Sequence, residues 1–336
     1  MGKYLKLFNG HAEYEAFKQT SDFIKPNVSH CVNENDVHYN PWTWAEEYLT
    51  FVAKENGTFT FTPKNDNVIS YSKDGGKTWT EGNSVEVNSG DKVMWKGTMT
   101  PTTSYPQGVG TFSSTGNFDV QGNVMSLLFG DNYKGQTSLT GKNYAFYELF
   151  RDNTKVVNSE NLSLCATILA ESCYSYMFYG CTSLTTAPQL PATTLAESCY
   201  QSMFDGCTSL TTAPALPATT LARGCYQAMF EGCTSLTTAP ALPAETLVDN
   251  CYAFMFYGCT SLTTAPELPV TTLANSCYRD MFRGCTSLTT APALPVTTLT
   301  NRCYEQMFYG CTNLVNAPEL PATTLAESCY QSMFYG

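Results

Sequence analysis

A phrase of 26 residues recurs almost unchanged through the second half of the chain, and it limits the possible folds more than any other feature. Cys173 to Ser198 reads C-Y-x-x-M-F-x-G-C-T-S-L-T-T-A-P-x-L-P-A-T-T-L-A-x-x. Further copies begin at Cys199, Cys225, Cys251, Cys277 and Cys303, and a partial seventh begins at Cys329. A unit of this length cannot bury its apolar face alone and must stack on its neighbours. The sequence therefore predicts a solenoid of six full repeats and one partial repeat over residues 173–336.

Each repeat contains two stretches of different character. From Cys173 to Gly180 the apolar residues lie three to five positions apart, which predicts a helical arc that ends at the glycine. Ser183 to Ala187 is short and β-prone, and Pro188 stops it from extending. Each coil is thus predicted to combine a short strand, an extended return and a helical arc, which is leucine-rich-repeat architecture of mixed α/β class.

Thirteen of the fifteen cysteines belong to the repeats, where the two cysteines of a copy lie eight residues apart. None has the C-x-x-C spacing typical of zinc sites. Equivalent residues of stacked coils form columns with a spacing of about 4.8 Å, so each cysteine type is predicted to form a buried ladder of free thiols. The N-terminus lacks the apolar run of a signal peptide, so the chain is expected to be made in a reducing compartment. Cysteine thiols stay unpaired there.

Three further segments are predicted before the repeats. Residues 1–47 form an N-terminal attachment head, residues 48–115 a small antiparallel β-sandwich, and residues 116–172 a degenerate N-terminal cap of the array. The predicted strands of the sandwich are residues 48–52, 58–62, 68–71, 84–87 and 92–95, separated by glycine-containing turns. In the cap, Ala145 and Asn153 replace the two cysteines of a repeat. Such changes are expected where the outer face meets something other than another repeat.

Charge and residue usage argue against several functions. The formal net charge is -11, and all 13 lysines precede Cys173, so no basic stripe exists to follow nucleic-acid phosphates. Catalysis needs converging acid, base or nucleophilic groups, and the histidines all lie before residue 40. We therefore expect no enzymatic activity, no cofactor and no insertion into a membrane.

The histidines raise the possibility of a metal site in the head. His30, Cys31 and His38 carry suitable ligand atoms. Their spacing is irregular and a fourth ligand is missing, so polar loop residues with one buried thiol are the favoured interpretation. No metal is predicted.

One segment of the predicted sandwich resembles a known motif. Ser72 to Trp79 reads S-K-D-G-G-K-T-W, which is similar to the Asp-box of sialidase propellers, where the Asp caps a hairpin turn. Those propellers carry several copies and an arginine cluster for the substrate carboxylate. This chain has one copy and no arginine before Arg151. An ordinary hairpin is the favoured interpretation.

The repeat itself carries a more specific resemblance. The unit M-F-x-G-C-T-S-L-T-T-A-P-x-L-P resembles the BspA-type leucine-rich repeats of Bacteroidetes surface proteins and of some of their phages, over roughly Gly122 to Gly336. The resemblance implies adhesion to host matrix, other cells or glycans, without a catalytic centre. The bacterial members of the family are exported, whereas this N-terminus shows no signal peptide.

The missing export signal favours delivery in a phage virion, which lysis releases. Ser21 to Val28 is also similar to N-termini of Bacteroidetes phage structural proteins. We therefore expect a virion fibre or decoration adhesin whose head binds other virion proteins and whose repeats contact a host-surface protein or glycan. The alternative is a BspA-like adhesin on the bacterial cell surface. The partial repeat at Cys329 predicts a homo-oligomer, a second chain that caps this end, or a natural chain that continues past Gly336.

Differences among the repeats locate a candidate binding surface at the third, fourth and seventh positions. Aromatic and arginine side chains at these positions are predicted to form one recognition strip. Its members are Tyr176, Tyr179, Phe254, Tyr257, Arg279, Arg283 and Tyr309. The alternative is that exposed positions vary because the fold tolerates it. Threonine rows such as Thr211 and Thr237 are a second candidate surface, although threonine ladders stabilise any sheet.

Overall fold

The structure is a computed structural model that describes residues 47–104 and 107–335. The predicted head, with His30, Cys31, His38 and the segment from Ser21 to Val28, lies outside the described residues, apart from Glu47. The described chain has a strand-rich N-terminal part and the repeat array.

Two β-sheets form the N-terminal part. The strands are β1 (Leu49–Ala53), β2 (Gly57–Pro63), β3 (Ile69–Ser72), β4 (Thr80–Glu81), β5 (Ser84–Val87), β6 (Lys92–Gly97), β7 (Gly110–Ser114), β8 (Phe118–Asn123), β9 (Val156–Asn158) and β10 (Leu162–Ser163). The larger sheet has the order β10-β8-β1-β6-β3-β4, with β9 also paired to β8, and the smaller has the order β5-β2-β7. The five predicted strands are present, with bounds that differ by at most two residues.

Aromatic rings fill the space between the two sheets. The ring centroid of Phe51 in the larger sheet lies 5.3 Å from that of Phe59 and 4.7 Å from that of Phe112, both in the smaller sheet. Trp95 joins this cluster at 5.6 Å from Phe51, and all four side chains are buried. The period-2 alternation of strands places these residues on the inner faces of the two sheets.

Helix is scarce in the described residues, which contain α1 (Ser126–Phe129) and one 3-10 helix (Gly130–Asn132). Neither is long and apolar enough to cross a membrane. The predicted helical arcs of the repeats are therefore wrong: the N-terminal part is mainly β, and the described residues contain little helix.

The segment predicted as helical is a run of turns that depends on the neighbouring repeat. The N–H of Met177 donates to the carbonyl of Tyr174, three residues earlier, whereas the N–H of Phe178 donates to the carbonyl of Met203 in the next repeat. This alternation continues through the following repeats. An α-helix instead satisfies its amides within one segment. The turn run can satisfy its backbone only when another repeat lies beside it.

Every fourth residue of the turn run has a left-handed backbone. The φ angle is 51° at Ser172, 57° at Tyr176 and 69° at Gly180, and the same three positions are left-handed in the five following full repeats. A non-glycine residue pays roughly 1–2 kcal/mol for this conformation. The stacked geometry imposes it regardless of the side chain present.

This geometry predicts that Ser276→Gly raises the free energy of unfolding by roughly 0.5–1 kcal/mol, because glycine removes the left-handed penalty at φ 53° but loses more chain entropy on folding. The equivalent residue of another repeat is already Gly224, with φ 59°. The matched change Gly224→Ser should lower stability by a similar amount. Denaturant unfolding of both variants measures the difference, and a destabilised Ser276→Gly protein would contradict the left-handed assignment.

Equivalent residues of successive repeats lie in columns. The rings of Phe178 and Phe204 stack at 5.7 Å and 8° from parallel, and the column continues at 5.7 to 5.8 Å as far as Phe334. On another side of the coil, single parallel bridges run from Thr186 to Thr212 and onward to Asn316. The strand predicted from Ser183 to Ala187 is thus reduced to one bridging residue. The repeats are stacked in register.

The cap joins this stack to the two sheets. The ring of Phe150 stacks on Phe178 at 5.1 Å and on Phe112 of β7 at 5.8 Å. The side-chain amide of Asn153 donates to the carbonyl of Phe112, just as the thiol of Cys181 donates to the carbonyl of Phe150. Asn153 therefore takes over the hydrogen bond of the cysteine that it replaces. Strand β8, within the segment predicted as the cap, pairs with β1 and with β9.

Candidate functional site

The seven predicted strip residues lie in the turn runs and are all half-buried. They form two separate groups. Tyr176 and Tyr179 belong to the first full repeat, whereas Phe254, Tyr257, Arg279, Arg283 and Tyr309 belong to the fourth, fifth and sixth. The repeats that begin at Cys199 and Cys225 lie between them.

The second group is held together by cation–π contacts. The guanidinium of Arg283 lies 4.4 Å from the ring of Tyr309 and 5.4 Å from that of Tyr257, and Arg279 lies 5.3 Å from Phe254. Phe254 and Tyr257 are 6.3 Å apart. These distances fall within the range in which a cation is attracted to an aromatic face. The five side chains therefore form one cluster.

The first group contains an arginine that the sequence analysis missed. The rings of Tyr176 and Tyr179 are 5.9 Å apart, and the guanidinium of Arg151 lies 4.8 Å from Tyr179. Arg151 is the seventh residue of the cap when Ala145 is aligned with Cys173. That alignment is the signal that identifies it.

Arg151 of the first group and Arg283 of the second both have acidic partners. Arg151 pairs with Glu148 and, at 3.3 Å, with Asp152. Arg283 pairs at 3.2 Å with Asp280, whose side chain is 2% exposed. Each of these arginines thus has an acidic neighbour, and Asp280 also pairs with Arg279 at 3.2 Å.

A depression of about 410 Å³ lies between the two aromatic groups. In the fourth column of the repeats, the large residues Tyr176 and Phe254 are separated by Ser202 and Ala228, and these two small side chains leave the space open. The second residue of each repeat forms a buried tyrosine column, in which the rings from Tyr174 to Tyr252 are spaced by 5.7, 5.8 and 5.9 Å. The repeats between Tyr176 and Phe254 are therefore stacked without a break, and the opening is two repeats wide. Its lining is Tyr176, Gln201, Ser202, Gln227, Ala228, Glu231, Phe254, Tyr257 and Arg283.

Two carboxyl groups of neighbouring repeats, Asp205 and Glu231, belong to this surface. Glu231 lines the depression, and Asp205 holds the same seventh position one repeat earlier. Burial, followed by repulsion from Glu231, raises the pKa of Asp205 to about 7, and burial also raises the pKa of Glu231. Within the described residues neither carboxyl group takes part in an ion pair. Sequence reasoning missed this pair, although the seventh column reads Arg-Tyr-Asp-Glu-Tyr-Arg from Arg151 to Arg283.

The segment that resembles an Asp-box forms the hairpin between β3 and β4. Asp74 accepts hydrogen bonds from the N–H and the hydroxyl of Thr78 at 2.9 and 2.6 Å, and these bonds hold the pKa of its carboxyl far below the usual range. The indole N–H of Trp79 donates to the carbonyl of Gly76 at 3.1 Å. The polar groups of the motif are thus used within the turn, which confirms the ordinary hairpin.

The repeat cysteines form the predicted buried ladders. All thirteen are free and buried. Thiols of the second ladder donate to phenylalanine carbonyls of the preceding repeat, as Cys233 does to Phe204 at 3.1 Å. Across residues 47–104 and 107–335, no group of three or more His, Cys, Asp or Glu side chains is placed to hold a metal ion.

Comparison with known families gives a match to the repeats. The family described as BspA type leucine rich repeat region matches in six copies, over residues 142–279 and 226–335. Together these ranges cover more than half of the chain, and they do not reach residues 1–141. No curated protein and no solved structure matches the chain.

Proposed function

The chain belongs to the BspA-type leucine-rich repeat family, and from that premise we propose that it is a non-enzymatic adhesin whose stacked repeats form a binding solenoid. Proteins with these repeats are typically surface adhesion and binding proteins. The ligand classes that follow are host matrix, other cells and glycans. The bacterial cell surface is the proposed location.

One observation carries the proposal for this chain. Aromatic and arginine side chains, the residue types that dominate binding hot spots, lie half-buried on one face and flank a depression. Pre-formed concavity and rigid rings reduce the entropy cost of association. The repeat array is therefore the proposed contact surface.

A virion fibre or decoration protein, expected from the sequence, is less well supported. The family match covers the repeats and gives no support to a phage role. The phage resemblance depended on Ser21 to Val28, outside the described residues. The surface adhesin is accordingly the function that we propose.

An adhesion assay tests this proposal. Beads coated with the full chain are incubated with host cells, matrix coatings and a glycan array, and bound beads are counted. We expect Tyr176→Ala/Phe254→Ala/Tyr257→Ala to abolish most of the binding. The control Thr211→Ala/Thr237→Ala changes exposed residues of the threonine rows and should preserve it. Loss of binding in the control alone would move the site to the threonine face and overturn the assignment.

A further inference from the structure

We propose that the depression between the two aromatic groups binds a basic segment of a partner protein, with a lysine or arginine head group beside the carboxylates of Glu231 and Asp205. This inference names a ligand class for the proposed adhesion surface and rests on that function. We call the site the acidic depression; its floor is Ser202 and Ala228, and its walls are Tyr176 and Phe254.

The two carboxyl groups lack an ion-pair partner. Asp205 and Glu231 are half-buried on adjacent repeats and repel one another; Asp205 has a hydrogen bond with the side chain of Ser202, but no lysine or arginine of the described residues forms an ion pair with either carboxyl group. Half-buried charge is costly unless an opposite charge or hydrogen bonds compensate it. A ligand cation that enters the depression supplies the missing partner.

The aromatic walls of the acidic depression suit a cation. Aromatic faces attract cations, and the same surface already shows this with guanidinium groups 4.8 Å from Tyr179 and 5.4 Å from Tyr257. Arg151 and Arg283 form their ion pairs with Glu148, Asp152 and Asp280 and not with the two carboxyl groups of the depression, although Arg151 acts on Asp205 at longer range. The long aliphatic stem of lysine or arginine also packs well against rings while its charged head reaches a carboxylate.

A neutral sugar is the competing ligand for the acidic depression. The rings of Tyr176 and Phe254 and the amides of Gln201 and Gln227 would suit a sugar as well. A neutral sugar would leave the two carboxylates without a counter-charge. The array from Cys173 to Gly336 contains ten acidic residues, four arginines and no lysine, so its field attracts basic partners. Charge complementarity therefore favours the basic segment.

Calorimetry of the full chain with tetralysine and tetra-arginine tests the site directly. We expect binding that weakens as salt is added. Glu231→Gln should weaken it by about tenfold or more, since it removes one partner of a desolvated charge pair. Ala228→Phe should abolish it by filling the opening. Phe254 stands at the same repeat position with φ 60°, close to the 54° of Ala228, so the new ring fits the local backbone.

The matched control is Glu245→Gln, which makes the same charge change at an exposed residue that does not line the depression. The affinity of Glu245→Gln for the two peptides should equal that of the natural chain. Near-ultraviolet circular dichroism and thermal unfolding verify that each variant is folded. Equal weakening by Glu231→Gln and Glu245→Gln would show non-specific attraction and overturn the site.

The pH dependence gives an independent readout. The carboxyl of Asp205 faces Glu231, Ser202 and, at longer range, Arg151, and Glu231 also senses Asp280. A cation binds the ionised carboxylate, so affinity should increase between pH 6 and pH 8, as Asp205 loses its proton near pH 7. In Asp205→Asn this increase should become smaller, and what remains is due to Glu231, whose pKa burial also raises. A pH-independent affinity in the natural chain would count against a role for Asp205.

The remaining outcomes separate this inference from the proposed function. If a neutral tetrasaccharide binds, Ala228→Phe blocks it and neither peptide binds, the cationic ligand is wrong while the adhesion surface stands. If Ala228→Phe is folded and still binds both peptides, the depression is not their site. If no bead adhesion occurs with any surface, the proposed function fails, whatever the peptides do.

Discussion

Above pH 9 the repeat array is expected to unfold within about one pH unit. Twelve buried repeat thiols have raised pKa values because burial disfavours the thiolate. For Cys173 and Cys225 burial raises the pKa from 9.0 to about 12. The unfolded chain releases these protons near pH 9, whereas the folded chain retains them. Their contribution to stability is therefore complete below pH 9 and is lost as the pH rises.

The size of this effect follows from proton linkage. By pH 10 each of the eleven thiols whose pKa is raised to about 11 or more, or well above 9.0, costs about 1.4 kcal/mol of stability, which is roughly 15 kcal/mol together. Domains are typically stable by about 5–15 kcal/mol, so the thiol term alone is as large as the stability of a typical domain. The buried tyrosine column, in which Tyr200 and Tyr226 have pKa values well above 10.0, adds to the loss at higher pH.

Circular dichroism recorded against pH under reducing conditions measures the transition, and potentiometric titration counts the protons released. The matched variant Cys207→Ala/Cys233→Ala should release two fewer protons on unfolding and show a less steep pH dependence. An array that remains folded above pH 11 would contradict the expectation, and so would thiols that react with a maleimide at pH 8 in the folded chain.

The repeat period predicted the columns and the buried thiols correctly. A 26-residue phrase repeated with little change must place like residues above one another, and residues such as Cys233 and Phe230 then have no route to solvent. Five of the ten strands of the N-terminal sheets were also predictable, because alternating β-branched and aromatic residues between glycine turns are a local signal.

The helical arcs were not predictable in the same way. An apolar spacing of three to five residues fits a helix and also fits a run of turns in which every fourth residue is left-handed. The choice depends on amides such as that of Phe178, which bond to the next repeat. Side chains such as Tyr176 and Phe254 occupy left-handed positions that local propensity assigns to glycine or asparagine. Stacking outweighs that preference.

The candidate site was predicted in part. Large variable side chains were visible in the sequence, and the structure places them on one face, yet the depression between them results from the small residues Ser202 and Ala228. Looking for large side chains in the sequence does not reveal a depression that small side chains leave open. The order of residues down one column of the repeats, with Asp205 and Glu231 between tyrosines, contains the missing information.

The second large effect is expected from Phe230→Ala, which should lower the free energy of unfolding by about 3–5 kcal/mol. Phe230 is fully buried, and its ring stacks on Phe204 at 5.7 Å and on Phe256 at 5.8 Å. Removal of the ring leaves a cavity with stacked partners on both sides. The backbone carbonyl of residue 230 still accepts the hydrogen bond from Cys259 in this variant. The decrease in the free energy of unfolding therefore measures the lost packing and not a change in the thiol ladder.

The same substitution at the last ring of the column is the matched control. Phe334 stacks on Phe308 at 5.7 Å but is 40% exposed. Phe334→Ala therefore removes one stacking contact and less buried surface, and it should cost about 1 kcal/mol. Denaturant unfolding, followed by circular dichroism, compares the two variants.

Hydrogen exchange locates the damage within the array. In a stack where each repeat contacts only its neighbours, stability is a sum of repeat terms and interface terms, so a defect at Phe230 weakens the two interfaces that it shares. Faster exchange should be concentrated in the repeats that begin at Cys199, Cys225 and Cys251. These repeats include the acidic depression, so Phe230→Ala should also weaken peptide binding without changing any lining residue. Equal losses from Phe230→Ala and Phe334→Ala would contradict the nearest-neighbour account, because only the first interrupts the column.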